Sequence, residues 1–252
     1  MGNFFSFFFP RRKKIFFIEG VSGTGKTTAL KELSKSQKYR VLLLDIIQFS
    51  RIFNLKIDPK TFKFDRICYA SLYYSVLFQK LELNTISTEN PIYFCDRSPI
   101  SISLYSFLFE TLLDHLKNKN KNNSYLNIEK ESIVECPGYM TFLKNIYFIC
   151  YYLDEYLYQK KFTVTKIVFF ICSESSENFF LNRVLLRNWI DAAILENDAF
   201  LKRYYIKIQC VFFSLVHNYL SKQNFKLLKF DIYNLPASFS EVKNVLEKGD
   251  SK

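Results

Sequence analysis

The chain has 252 residues, 49% of them hydrophobic, and a formal charge of +11 from 35 Lys and Arg against 24 Asp and Glu. That length suits one well-buried α/β domain and is short for two. The basic residues are scattered, so the charge fits polyanionic small substrates such as nucleotides, and no stable nucleic-acid binding is expected.

In chain order, residues 1–14, MGNFFSFFFPRRKK, form an extension before the first predicted strand. The opening Met-Gly-x-x-x-Ser makes Gly2 a candidate for N-myristoylation. One acyl chain binds membranes only marginally, and Arg11, Arg12, Lys13 and Lys14 would supply the second signal for an anionic surface. The alternative for the aromatic run is packing on the domain or on the second subunit of a homodimer. Residues 15–250 are expected to form the folded domain, in a reducing, cytoplasmic setting. Cys68, Cys95, Cys136, Cys150, Cys172 and Cys210 make no C-x-x-C pair and mostly lie in apolar runs, which reads as core thiols and excludes zinc fingers and disulfide scaffolds. No apolar stretch is long and uncharged enough to span a bilayer.

Ile15–Glu19 is a short apolar run of the kind found in buried parallel strands. Gly20-Val21-Ser22-Gly23-Thr24-Gly25-Lys26-Thr27 follows, a full Walker A match, and then Thr28, Ala29, Leu30 and Leu33 in a helical pattern. In a strand, loop and helix of this kind the backbone amides point at phosphates and the helix N-terminus adds a favourable field. Lys26 then reaches the β/γ oxygens and Thr27 ligates Mg²⁺. Gly20, Ser22, Gly23, Thr24, Gly25, Lys26, Thr27 and Thr28 are therefore the predicted ATP-binding set.

Val41–Asp45, Ile92–Asp96, Lys166–Cys172 and Lys226–Asp231 also have strand character, with helical patterns between them. This alternation predicts a five-stranded parallel sheet with helices on both faces. Ligands bind outside the carboxyl ends of such strands, which brings Asp45 and Asp96 to the phosphate loop. In CDRSPIS, Asp96 is placed to hold Mg²⁺ through water beside Thr27, and Arg97 to reach a phosphate between donor and acceptor. The polar stretch at 117–125, KNKNKNNSY, reads as a mobile insertion before the next helix. Arg183 and Arg187 are four apart, on one helix face after the fourth strand, and suit a lid over the transferring phosphoryl group.

The chain resembles the thymidylate kinases, within the wider group that includes the deoxynucleoside kinases. The resemblance is carried by IEGVSGTGKTT, by DRSPIS against the family's Asp-Arg-Tyr-x-x-Ser, by Glu196 to Tyr205 (ENDAFLKRYY) and by the C-terminal FDIYNLPASFSEVKNVL. It implies a three-layer P-loop kinase fold with a short lid, ATP and Mg²⁺ as cofactors, and transfer of the γ-phosphoryl to dTMP. Lys26, Arg97, Arg183 and Arg187 would surround the migrating group. Arg51 and Arg97 would hold the acceptor phosphate, Tyr69 or Tyr73 would stack on the base, and Ser101 would line the acceptor side. The chain departs from the family at Ser22, where an acidic residue is usual, at Tyr69 and Tyr73, near the usual base-reading Arg, and at Ser98, which looks more like the deoxynucleoside kinases.

Two alternatives follow from those departures. A nucleoside kinase would pass phosphate to a neutral 5′-hydroxyl and needs a carboxylate to take its proton; Asp45 is the candidate from sequence. A catalytically degenerate nucleotide-binding scaffold is the other.

Overall fold

The computed structural model describes residues 13–43, 92–122, 128–159, 162–172, 176–186 and 198–232, with a few isolated positions between them. Among the described residues five strands form one parallel sheet: β1 (Lys13–Gly20), β2 (Tyr39–Leu43), β3 (Ile92–Asp96), β4 (Phe162–Cys172) and β5 (Leu227–Ile232). Their spatial order is β2-β3-β1-β4-β5, with every neighbouring pair parallel. Ile15, Phe16, Phe17 and Ile18 are consecutive and all buried, so side chains on both faces of β1 are covered, as the apolar run anticipates.

The helices among the described residues are α1 (Lys26–Leu33), α2 (Ile100–Phe107), α3 (Leu113–Asn122), α4 (Lys130–Val134), α5 (Tyr139–Gln159), α6 (Glu177–Leu185) and α7 (Ala199–Lys222). A five-residue π-helical turn, Leu108–Leu112, joins α2 to α3. Helix α1 packs on β2 and β3, whereas α7 packs on β1, β4 and β5. The core between them is aromatic. Phe16 stacks on Phe94 at 5.0 Å, Phe107 on Phe142 at 4.4 Å, and Phe212 and Phe213 of α7 are fully buried.

Three details differ from the sequence reading. Strand β1 starts at Lys13, because Lys13 and Lys14 pair with Phe162 and Thr163, so half of the basic cluster belongs to the sheet. The second strand begins at Tyr39, two residues before the apolar run, and Asp45 lies outside the described residues. The polar stretch expected to leave the helix at Lys117 instead continues α3 to Asn122. Buried Leu113 and Leu116 anchor that helix, and ion pairs from Lys117 to Asp198 and from Lys119 to Glu135, each 2.5 Å, fasten its polar side. Gly2, Arg11 and Arg12 lie outside the described residues. Among the described residues no helix is long and apolar enough to cross a membrane, and Cys95, Cys136, Cys150, Cys172 and Cys210 are buried free thiols.

Candidate active site

Every group below lies at or beyond the carboxyl edge of β1 and β3, where a parallel sheet leaves a crevice for ligands. The loop between β1 and α1 is folded onto its neighbours. Gly20 has φ 123°, and a Cβ there would collide with the backbone of Phe170 on β4. Val21 N–H donates to the Phe170 carbonyl at 2.9 Å, which seats the loop on that strand. Gly23, φ 83°, lies under α6: a Cβ would come within 2.9 Å of the Phe180 carbonyl and 3.2 Å of Val184 Cγ2. Both positions therefore demand glycine for close approach as well as for backbone conformation.

The side chains of the loop are also engaged. Thr24 Oγ1 donates to the Val21 carbonyl at 2.7 Å and closes the turn. Lys26, 6% exposed, donates through Nζ to the carbonyls of Gly20 at 2.9 Å and Val21 at 2.6 Å. Neutral carbonyls are weaker partners for an ammonium than a phosphate, so this arrangement stores the lysine beside the place where phosphate oxygens would be received. Ser22 N–H donates to Oε1 of the fully buried Gln209 on α7 at 2.9 Å. That amide is turned toward the helix and away from the mouth of the loop. Thr28, on the first turn of α1, is exposed.

Asp96 ends β3 and is 9% exposed. Its Oδ2 accepts a hydrogen bond from Thr27 Oγ1 at 2.9 Å, so the two residues predicted to share a metal are in contact. Among the described residues no three His, Cys, Asp or Glu gather into a metal cluster. A hydroxyl and one carboxylate nevertheless fit Mg²⁺, which takes one or two protein oxygens and fills its shell with water and substrate phosphates.

One electrostatic feature of the site is absent from the sequence reading. Glu19, the residue before Gly20, is fully buried. Its Oε1 accepts three hydrogen bonds: from Ser98 N–H at 2.6 Å and from the hydroxyls of Ser98 and Ser101 at 2.5 Å each. Its Oε2 accepts none among the described residues and faces Arg97 Nη1 at 3.8 Å. Burial raises the carboxyl's pKa, against the opposing pull of Arg97 and the two serines. Ser101, expected to face the acceptor, thus donates its hydroxyl to Glu19.

Arg97 adopts φ 81°, a left-handed conformation rare for a side-chain-bearing residue and the kind of strain that gathers at functional sites. Its Nη1 donates to the Tyr105 hydroxyl at 2.7 Å, and its guanidinium lies 4.8 Å from the centre of that ring. Tyr105 donates in turn to the Gly20 carbonyl at 3.2 Å.

The structure therefore brings together Gly20, Ser22, Gly23, Thr24, Gly25, Lys26, Thr27, Asp96, Arg97 and Ser101. Arg183 lies half-buried on α6, the helix that covers Gly23, with its guanidinium 5.8 Å from the Phe179 ring. Asp45, Arg51, Tyr69, Tyr73 and Arg187 lie outside the described residues. The residues missed in the sequence are Glu19, Tyr105 and Gln209. Glu19 had a signal, a carboxylate at the buried end of an otherwise apolar strand; the other two had none. A cavity of about 610 Å³, lined by residues including Cys172, Lys207, Cys210 and Lys229, uses a different face of α7 from Gln209 and includes no residue of the loop.

No protein-family profile matches the chain, and no curated protein matches it. Among solved structures it is similar to deoxyadenosine kinase from M. mycoides with bound dATP. The identity is 13%, over 93% of this chain and 99% of that one, with a TM-score of 0.49.

Proposed function

We propose that this protein is an ATP-dependent kinase that passes the γ-phosphoryl group to the 5′-hydroxyl of a nucleoside. The observation that carries this reading is Glu19. A phosphate acceptor such as dTMP is already anionic and needs no strong base, whereas a neutral hydroxyl must lose its proton as the new P–O bond forms. Glu19 is a carboxylate at the root of the phosphate loop, with one oxygen fixed by Ser98 and Ser101 and the other accepting no hydrogen bond among the described residues. Its raised pKa makes it a better proton acceptor than an exposed carboxylate.

In this reading the loop amides and Lys26 bind the donor phosphates. Thr27 and Asp96 would hold Mg²⁺, which would neutralise charge on the donor phosphates when bound. Arg97 stabilises negative charge developing on the transferring group, and Glu19 receives the hydroxyl proton. Arg183 and Arg187 are placed by sequence to close over the site from α6 and beyond. The second reading, phosphorylation of dTMP, is favoured by Arg97, whose guanidinium beside the loop also suits an anionic acceptor. A turnover panel of nucleosides and nucleoside monophosphates with Mg-ATP separates the two. Transfer to nucleosides that is abolished by Glu19→Gln supports the first. Efficient transfer to dTMP that survives Glu19→Gln refutes it.

A further inference from the structure

Tyr105 lies on α2 one turn beyond Ser101, with its ring packed against Phe109 at 5.9 Å and Phe213 at 6.0 Å. Those contacts fix the ring from the core side. Its hydroxyl touches both halves of the site, accepting from Arg97 at 2.7 Å and donating to the Gly20 carbonyl at 3.2 Å. The same carbonyl accepts from Lys26 at 2.9 Å.

A lysine that binds phosphate has to leave the carbonyls on which it is stored. A buried carbonyl left without a donor is unfavourable, so the departure is easy only if another donor remains. Both carbonyls held by Lys26 have one. Val21 keeps Thr24 Oγ1 at 2.7 Å, from within the loop, and Gly20 keeps Tyr105, from α2.

We propose that Tyr105 is a positioning residue that joins the two halves of the site: its hydroxyl keeps the Gly20 carbonyl partnered when Lys26 turns to the nucleotide, and the same oxygen holds the Arg97 guanidinium in place. The inference rests on the reading of Lys26 and Arg97 given above and adds a residue that touches neither substrate. One oxygen thus links occupancy of the phosphate loop to the orientation of the arginine.

Tyr105→Phe is the test, because it keeps the ring, its aromatic contacts and its face toward Arg97 while removing only the hydroxyl. Thermal melting establishes that the variant is folded. Calorimetry with Mg-ATP is expected to show binding weakened about fivefold, the size of one ordinary hydrogen bond. In a Lys26→Ala background, where no lysine has to be released, removing the hydroxyl changes ATP affinity no further. Equal affinity for wild type and Tyr105→Phe, or the same loss with and without Lys26, overturns the link to the loop. In turnover, Tyr105→Phe lowers kcat about tenfold, a loss of the size expected from misplacing a catalytic group, and adds nothing to Arg97→Ala. If the two losses multiply, Tyr105 does not act through Arg97 and the proposal fails. If wild type transfers phosphate to no nucleoside in the panel, the acceptor assignment fails, and the calorimetric comparison alone decides Tyr105.

Discussion

Replacing Glu19 by Gln separates the roles of its charge from those of its shape. The glutamine side chain is nearly isosteric, and its Oε1 can still accept from Ser98 and Ser101. What disappears is the ability to take a proton. General-base catalysis contributes about 10²–10⁴-fold, so kcat for a nucleoside should fall by that factor, equivalent to about 2.7–5.5 kcal/mol in the barrier. Stability should move the other way. Burial raises the Glu19 pKa in the folded state above its unfolded value. Such a group favours the folded state most at low pH, and that contribution is lost as pH rises through the folded-state pKa. Each unit of elevation corresponds to about 1.4 kcal/mol lost by neutral pH, or roughly 3–5 °C in Tm for a chain of this size. Glutamine carries no such penalty. Melting curves from pH 4 to 8 should therefore show the variant gaining on wild type as pH rises, with the two converging at the acid end. A variant that retains nucleoside turnover within fivefold of wild type, or whose stability tracks wild type at every pH, refutes the assignment of Glu19 as a buried base.

Lys26→Ala should lower kcat by two or more orders of magnitude with an unchanged circular dichroism spectrum, since the ammonium that binds the donor phosphates also stabilises the charge that develops in the transfer step; equal turnover would remove the loop from the chemistry. Ser101→Ala removes a hydrogen bond that lowers the Glu19 pKa, so the acid limb of the kcat profile should shift to higher pH; a shift to lower pH contradicts the geometry. Gly23→Ala places a methyl against the Phe180 carbonyl at positive φ and should cost about 1–3 kcal/mol in urea denaturation, with weakened ATP binding. Unchanged stability would mean that α6 does not seat on the loop.

The sheet was legible because its strands are apolar on both faces. Ile92–Asp96 has the same bounds in sequence and structure, since Arg97 at φ 81° takes the backbone out of the extended conformation directly after the aspartate. The start of β1 was hidden, because Lys13 and Lys14 join through backbone hydrogen bonds that hydrophobicity does not report; Lys13 also lies 5.9 Å from the centre of the Tyr93 ring. Similarly, α3 runs into Lys- and Asn-rich sequence because its partners, Asp198 and Glu135, are distant in the chain. In the site, the Walker residues and the Thr27–Asp96 contact followed from motif and strand ends. Glu19 was legible only as a misfit, a charge in an apolar strand, and its meaning depends on two serines some eighty residues away. Tyr105 and Gln209 look like ordinary helix residues until tertiary packing turns them toward the loop.

The π-helical turn at Leu108–Leu112 has a consequence for phase. From Ile100 to Leu116 the rod buries Ile100, Leu104, Leu108, Leu112 and Leu116, a repeat of four. In an uninterrupted α-helix that repeat would advance by about 40° at each step, roughly 160° over the series, and carry the stripe toward the opposite side. The wider turn returns part of that rotation. It lets one rod aim Ser101 and Tyr105 at the phosphate loop and, three turns later, still point Leu116 inward and Lys117 at the N-terminus of α7. Winding the same residues into a regular α-helix would rotate everything beyond the turn by roughly one residue's step, about 100°. The catalytic end would keep its orientation, while the end that meets Asp198 would lose its partners. The turn acts as a gear between two surfaces that have to be met by a single helix.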